Sequence, residues 1–311
     1  MEISDDDTED DLVNSKNDEI EYISSDEDED DASSKSWLHI GKYHLKSDEK
    51  AIMLSKDMWL NDVIINAAQH LITKKYPHVG GFQDTILQRN LSFTVQNGEF
   101  VQILNKGGNH WVTITNIGVT DMSTIRIYDS LGGKRFDHCM QKEIASLLHS
   151  NSPEITLKLE DVQNQQDGHS CGLFAIAFAV SLCHEEDPRR LTFDRSAMRK
   201  HLLNCLTKGE ITPFPRKSEG REPNMGRLVT FSIHCTCRLP FDADDVWMAF
   251  TCCLCNNMYH RECEAGKKVT IRVEGKDKWI CSNCSKESHI TESYEIKNHN
   301  FIESTVSKID V

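Results

Sequence analysis

The chain has 311 residues, which is enough for about two domains, and it carries a formal net charge of −14. Residues 1–31 contain 16 acids and one lysine, a net of −15, which leaves a net of +1 for the rest. The remainder is therefore nearly neutral, which excludes a polyanion mimic. The sequence opens without a signal peptide, and no apolar run reaches the length of a membrane span, so we expect no membrane partner.

Residues 1–35 are acidic and rich in serine, with few apolar groups, and this composition predicts a disordered tail. The exception is a short apolar stretch from Ile20 to Ile23, which is followed by two serines and a run of acids. This stretch resembles a SUMO-interacting motif, a segment that adds as a strand to the edge of a sheet. A tail that only contributes charge and solubility is the alternative, and the sequence leaves both open.

From residue 37 onward, the hydrophobic pattern predicts one helix, several strands and then further helices. Apolar residues at helical spacing follow Ser55, and β-branched, alternating segments follow the Asn97–Gly98 turn. The predicted helices cover 55–74, 137–150, 172–183 and 194–206, and the predicted strands cover 100–104, 110–115, 125–131 and 154–160. This order predicts an α+β domain over residues 37–207.

Cys171 stands on a turn directly before the most apolar predicted helix. The Asp167–Gly168 pair indicates the turn, and residues 172–183 are rich in alanine, leucine and phenylalanine, which favours a buried helix over a strand. At a helix N-terminus, free N–H groups and the helix dipole stabilise a thiolate, the reactive form of a nucleophilic cysteine. A small apolar residue that caps a core helix is the alternative for such a cysteine.

Candidate partners for a nucleophile lie upstream, each at the end of a predicted element. His110 opens a strand, Asp129 lies at the end of the next strand, and Gln165 lies six residues before Cys171. An imidazole can act as the base, a carboxylate can orient it, and a side-chain amide can donate to an oxyanion. Taken singly, His110 would be a buried or surface histidine and Asp129 a turn residue, but the order of the four residues favours a catalytic set.

This pattern resembles the ubiquitin-like-protein-specific cysteine proteases, the family of SUMO proteases and adenovirus-type proteases. The resemblance covers residues 37–207, and its matching segments are Trp59–Ile65, His110–Trp111, Tyr128–Ser130 and Gln165–Gly172. The chain departs from the family at Ser170, where members often have an acid before the cysteine.

The resemblance implies a papain-like ubiquitin-like-protein protease domain. The implied base, orienting acid, oxyanion donor and nucleophile are His110, Asp129, Gln165 and Cys171. In the SUMO-protease branch, the tryptophans that match Trp59 and Trp111 flank the Gly-Gly tail of the substrate. The implied partner is therefore a ubiquitin-like modifier or its conjugates.

After residue 207 the composition shifts to proline, glycine, lysine and arginine, which predicts a linker over residues 208–231. Its basic residues are few and mixed with acids, so we expect a solvated linker without direct contact to nucleic acid.

Four cysteine and histidine pairs follow at a spacing that indicates two tetrahedral zinc sites. The predicted ligands are Cys235, Cys237, Cys252, Cys255, His260, Cys263, Cys281 and Cys284. This use of cysteine is typical of a reducing intracellular compartment.

The order of these ligands, with histidine in the fifth place and Trp279 just before the last pair, resembles a PHD finger over residues 232–285. The resemblance implies two structural zinc ions held by interleaved pairs. The implied sets are Cys235, Cys237, His260 and Cys263 on one ion, and Cys252, Cys255, Cys281 and Cys284 on the other. Residues 286–311 are predicted to form a flexible tail.

PHD fingers often bind histone H3 tails, some through an aromatic cage around methyl-lysine. Phe241 matches a cage position, whereas Met258 stands where methyl-lysine readers have a tryptophan, and Trp247 is the candidate substitute. A methyl-lysine reader, a reader of unmodified tails and a zinc-stabilised scaffold therefore stay open.

Together these features predict a nuclear cysteine protease that cleaves after the C-terminal Gly-Gly of a ubiquitin-like modifier. The PHD finger would target it, for example to chromatin, and catalysis itself would need no cofactor. SUMO is the favoured modifier, with NEDD8 and ubiquitin as alternatives. A non-catalytic chromatin reader and a transposon-derived protease with a sequence-specific substrate are the other hypotheses. The complete set of four catalytic residues favours the enzyme.

Overall fold

The computed structural model describes residues 36–133, 138–148, 152–241, 249–264, 268–286 and 296–299. The predicted acidic tail over 1–35, with its SUMO-interacting stretch, lies outside these residues, as does Trp247. Every helix in the described ranges is too short or too polar to span a bilayer.

The described chain begins with a hairpin of β1 (Leu38–Ile40) and β2 (Tyr43–Leu45), followed by helices α1 (Ser47–Leu54) and α2 (Asp62–Lys75). The sequence had predicted one helix over 55–74, which is wrong at its start. Residues 55–61 form a loop, because the Asn61 side chain caps α2 by accepting the Ile64 N–H at 3.1 Å. The error matters because this loop carries Trp59.

A six-stranded mixed sheet forms the centre of the first domain. Its strands in spatial order are β3 (Gly80–Gly81), β4 (Phe100–Lys106), β5 (His110–Thr115), β6 (Thr124–Tyr128), β7 (Glu154–Leu159) and β8 (Arg227–Ser232). Neighbouring strands are antiparallel except for the β3–β4 and β6–β7 pairs, which are parallel. The sheet therefore places the start of β5 and the end of β6 at one end of the domain.

Helices cover both faces of this sheet. Helices α2, α4 (Cys171–Cys183) and α5 (Arg195–Lys208) share one hydrophobic core with one face, and α3 (His138–Leu147) shares a second core with the other. All thirteen residues of α4 are buried, as its uninterrupted apolar sequence predicts. The predicted combination of helices and a sheet in one domain is confirmed.

Strand β8 differs from the sequence prediction, which placed residues 208–231 in a linker. Residues 227–232 pair antiparallel with β7, from Arg227 opposite Leu159 to Ser232 opposite Glu154. The half-buried residues 229 and 231 alternate with exposed ones and pack on the second core. This alternation is typical of a strand, but the composition of residues 208–231 as a whole favoured a linker. The sheet of the first domain therefore extends almost to the first predicted zinc ligand.

The C-terminal module contains two small sheets. Strands β9 (Ala249–Thr251) and β10 (Met258–His260) form one, and β11 (Lys268–Val273), β12 (Lys276–Ile280) and β13 (Ile296–His299) form the other. Because β13 pairs with β11, the prediction of a flexible tail over 286–311 is wrong for residues 296–299.

Candidate active site and metal centres

Cys171 is the first residue of α4 and is only 2% exposed. The preceding loop is held by the Asp167 carboxylate, which accepts hydrogen bonds from the His169 N–H (3.0 Å), the Ser170 N–H (2.8 Å) and the Ser170 hydroxyl (2.9 Å). Because Ser170 bonds to Asp167, its side chain does not cap α4. Cys171 lies at the positive end of the helix dipole, where a thiolate is stabilised.

A close approach behind Cys171 explains the glycine that follows it. A Cβ at Gly172 would lie 3.0 Å from the Leu60 Cβ, tighter than an ordinary contact. The Leu60 carbonyl also accepts a 2.9 Å hydrogen bond from the Trp111 indole N–H. Gly172 thus lets the loop before α2, the start of α4 and Trp111 pack closely around the nucleophile candidate.

His110 and Asp129 form a buried hydrogen-bonded pair beside Cys171. The Nε2 of His110 donates to the Asp129 Oδ1 at 2.6 Å, and the other ring nitrogen is buried without a nitrogen or oxygen partner among the described residues. Burial alone would lower the pKa of His110, but the Asp129 carboxylate and the Cys171 thiol together raise it to about 9. The imidazole is therefore protonated at neutral pH.

The Asp129 carboxyl is held in its charged form. Burial would raise its pKa, but the hydrogen bond and charge of His110, the charge of Lys106 and the Leu131 N–H lower it to about 2. The Leu131 N–H donates to Oδ1 at 2.9 Å, and the Lys106 ammonium lies 3.2 Å from Oδ2. Sequence reasoning missed Lys106, because its contact with Asp129 joins the ends of two strands that lie far apart in the sequence.

Gln165 is buried on the loop that leads to Cys171, and both ends of its amide are fixed. Its Oε1 accepts from the Ser130 hydroxyl at 2.6 Å, and its Nε2 donates to the Asp167 carbonyl at 2.6 Å. One Nε2 hydrogen is used by Asp167, which leaves the second for another acceptor. Ser130 directly follows Asp129, so the same turn supports both residues.

The two tryptophans line one cleft with Cys171. This cavity of about 310 Å³ is bounded by Trp59, Trp111, Gly108 and Asn109, with Cys171 in its wall. Trp111 is 6% exposed and Trp59 is 51% exposed, so the cleft is lined by one buried and one exposed indole.

Arg199 on α5 fixes the loop that carries Trp59. Its guanidinium donates to the carbonyls of Ile52 (2.9 Å) and Met58 (2.6 Å), one on each side of the turn out of α1. The sequence gave no sign of this contact, because the residues are separated by more than 140 positions. Arg199 therefore contributes to the shape of the cleft without lining it.

The predicted zinc ligands fall into two compact groups. In each group the four ligand atoms lie within 4.8 Å of one another. The groups are Cys235, Cys237, His260 and Cys263, and Cys252, Cys255, Cys281 and Cys284. These are the interleaved sets that the sequence predicted, and each could hold a zinc ion.

The geometry within the groups fits tetrahedral zinc. Zn–S bonds of about 2.3 Å separate two sulfurs by roughly 3.8 Å, and the Cys255 and Cys281 sulfurs are 3.9 Å apart. In the other group, the Cys237 sulfur lies 3.3 Å from the Nδ1 of His260. Backbone N–H groups also donate to ligand sulfurs, for example Cys281 N–H to the Cys252 sulfur at 3.4 Å, as expected around metal-bound thiolates.

Phe241, the residue that matches a cage position, contacts a candidate zinc ligand. Its ring stacks on His260 at a centroid distance of 3.9 Å and an interplanar angle of 19°. The ring therefore supports a candidate zinc ligand, and its stacked face is not open to a methyl-lysine. Cys253, which the spacing leaves unliganded, is exposed and outside both groups.

Comparison with known proteins gives structural neighbours only. No protein-family model and no curated protein matches the chain. The SUMO protease Ulp1 with its catalytic cysteine oxidised to a sulfenic acid is 17% identical, with a TM-score of 0.44 over 54% of this chain and 85% of that chain. The C-terminal Ulp1 protease domain in complex with Smt3, the yeast ortholog of SUMO, is also 17% identical, with a TM-score of 0.42 over 52% and 82%.

A third neighbour is the Xanthomonas campestris effector protein XopD bound to ubiquitin. It is 16% identical, with a TM-score of 0.35 over 49% of this chain and 93% of that chain.

Proposed function

We propose that the chain is a cysteine protease that cleaves after the C-terminal glycine of a ubiquitin-like modifier. The observation that carries this proposal is the arrangement around His110. One ring nitrogen donates to the buried Asp129 carboxylate, and the Cys171 thiol at the start of α4 interacts with the ring. A nucleophile, a base and an orienting acid in mutual contact are the requirement for covalent acyl transfer.

In the proposed reaction, the Cys171 thiolate attacks the carbonyl carbon of the scissile bond, and its electron pair forms the C–S bond. The carbonyl oxygen becomes an oxyanion that accepts from the free Nε2 hydrogen of Gln165 and the Cys171 N–H. The imidazolium of His110 then gives a proton to the leaving amine as the C–N bond breaks. Water, deprotonated by His110, hydrolyses the thioester and releases the carboxylate of the modifier.

The cleft favours a substrate with a slim, extended end. Its walls are the indoles of Trp59 and Trp111, and Gly107 and Gly108 have φ values of +65° and +82° that glycine adopts without strain. Backbone without side chains at this turn can approach a substrate chain closely. A Gly-Gly tail fits such walls, which supports the modifier class that the sequence motifs imply, with a SUMO-like protein as the favoured member.

The test uses SUMO, NEDD8 and ubiquitin that carry an electrophile in place of the C-terminal carboxylate. We expect one covalent adduct, strongest with SUMO, mapped by mass spectrometry to Cys171 and absent in Cys171→Ala. Cys183→Ala is a matched control, because Cys183 lies in the same helix and burial raises its pKa to about 12. Labelling that persists in Cys171→Ala, or no labelling by any of the three modifiers, contradicts the proposal.

We propose further that the C-terminal module is a PHD-type zinc finger that directs the protease to a nuclear partner. The interleaved ligand groups support this type of module. The Met258 position and the stacking of Phe241 on His260 favour an unmodified histone H3 tail over a methyl-lysine tail as the partner. Titration of the zinc-loaded chain with unmodified and trimethylated H3 peptides distinguishes these partners, and binding of neither contradicts the reader role.

A further inference from the structure

Lys106 and His110 occupy opposite positions on neighbouring strands, and both contact the same carboxylate. They are direct partners in the β4–β5 register. The His110 Nε2 lies 2.6 Å from one oxygen of Asp129, and the Lys106 ammonium lies 3.2 Å from the other. Each carboxylate oxygen therefore faces a different cationic group across the end of the sheet.

The Lys106 side chain is unusually enclosed for a lysine, with 16% of its surface exposed, and the Asp129 side chain is 7% exposed. The chain leaves room for this ion pair at Gly133. A Cβ at residue 133 would lie 2.6 Å from the Lys106 ammonium and 2.7 Å from the Asp129 Oδ2. The pair thus fills a space that the turn after β6 provides by omitting a side chain.

A carboxylate that is bonded through one oxygen only can rotate and present either oxygen to its partner. A second contact on the other oxygen removes that freedom, and orientation of this kind contributes strongly to catalytic rate. We propose that Lys106 is a positioning residue, whose ammonium holds Oδ2 of Asp129 so that Oδ1 stays aligned with the His110 Nε2–H. This inference rests on the proposed catalytic roles of His110 and Asp129.

The alternative is that Lys106 only stabilises the β4–β5 hairpin. Lys158 provides a matched control for that role. Its ammonium lies 3.3 Å from the buried carboxylate of Glu160 in the same sheet, away from Cys171. If Lys106 has only a structural role, Lys106→Met and Lys158→Met should change the His110 resonance and kcat in the same way.

The experiment compares the full zinc-loaded chain with Lys106→Met and Lys158→Met. The Nε2–H of His110 is followed by proton NMR as a downfield resonance, and kcat and KM are measured with a Gly-Gly-terminated SUMO fluorogenic amide. In Lys106→Met we expect the resonance to move upfield or broaden and kcat to fall about tenfold, with KM within twofold. We expect both readouts in Lys158→Met to match the unmodified chain.

An unchanged resonance and kcat in Lys106→Met, or equal losses in the two variants, overturn the inference. If the unmodified chain cleaves none of the modifiers, the proposed function fails, whereas the resonance still decides whether Lys106 positions Asp129. Should Lys106→Met fail to fold, Lys106→Gln removes the charge and shortens the side chain while keeping it polar. The resonance should then change in the same direction, and an unaltered resonance in folded Lys106→Gln overturns the inference.

Discussion

Asp129→Asn removes the negative charge that keeps His110 protonated while preserving the size of the side chain. The pKa of His110 is raised from 6.5 to about 9, and the first contribution that raises it is the hydrogen bond to Asp129. The rise of about 2.5 in the pKa, to which Asp129 and Cys171 both contribute, corresponds to at most roughly 3 kcal/mol. Because burial lowers the pKa of His110 and Cys171 is the other group that raises it, the substitution should move this pKa from about 9 toward 6.5.

The proposed mechanism needs the imidazolium to protonate the leaving amine. At pH 8, a pKa of about 9 leaves roughly 90% of His110 charged, whereas a pKa of about 6.5 leaves roughly 3%. Because Cys171 still raises this pKa in the variant, we expect kcat/KM of Asp129→Asn to fall by up to about 30-fold at pH 8, and the deficit to shrink as the pH is lowered to 6. The assay combines a pH profile of kcat/KM with an NMR titration of the His110 Cε1–H.

Asp121→Asn serves as the control, because Asp121 is an exposed carboxylate at the other end of the same strand and bonds to the Ser123 N–H at 2.9 Å. It should leave the His110 titration unchanged. The reasoning is refuted if His110 titrates at the same midpoint in Asp129→Asn as in the unmodified chain.

The same pKa values predict a stability profile. The raised pKa of His110 contributes stability that is complete below about pH 6.5 and is lost as the pH rises through about 9. The lowered pKa of Asp129 contributes stability that is complete above about pH 4 and is lost as the pH falls through about 2. The contact between His110 and Asp129 contributes to both pKa shifts, so Asp129→Asn should reduce the pH dependence of the unfolding free energy at both the acid and the alkaline end.

Two further predictions concern the oxyanion donor and the metal sites. Gln165→Ala should lower kcat about 100-fold, roughly 3 kcal/mol, with little change in KM. The control is Gln163→Ala, which removes hydrogen bonds to the Phe193 backbone and should lower the melting temperature without lowering kcat. Equal kcat values in the two variants would contradict the role of Gln165 as oxyanion donor. Native mass spectrometry should find two zinc ions per chain, and chelation should abolish hydrogen-exchange protection in residues 249–286 while β4–β6 stay protected. One ion per chain, or unchanged exchange, would show that the paired sites are misassigned.

Much of the sheet was predictable, because its strands are short, β-branched segments bounded by glycine and asparagine. The limits of β5 are those that the sequence predicted, and α4 begins one residue earlier than predicted. The error before α2 arose because Ser55 and Asn61 are both good capping residues, and only tertiary contacts select Asn61. The Asn61 amide also donates to Glu49 at 2.7 Å, a partner that periodicity does not reveal.

The candidate site was predictable in its residue types and less so in its supports. His110, Asp129 and Cys171 lie at element ends, where the spacing of strands and turns indicates them. Lys106 and Ser130 were missed because their contacts run between segments, and no local pattern records which strand end faces which turn. Such supporting contacts fix the direction of a side chain, which a sequence pattern does not specify.

Strand β8 shows how the two parts of the chain are physically joined. It completes the six-stranded sheet, and the next residue, Ile233, is buried in the core of that sheet while its N–H donates to the Pro153 carbonyl at 2.8 Å. Cys235, a candidate zinc ligand, follows two residues later. Arg238 then donates back to the carbonyls of Ile233 and Ser152. Because only Ile233 and His234 separate the last strand from the first candidate ligand, a metal ion at Cys235 would be joined almost directly to the end of β8 and so to the sheet that carries the candidate active site.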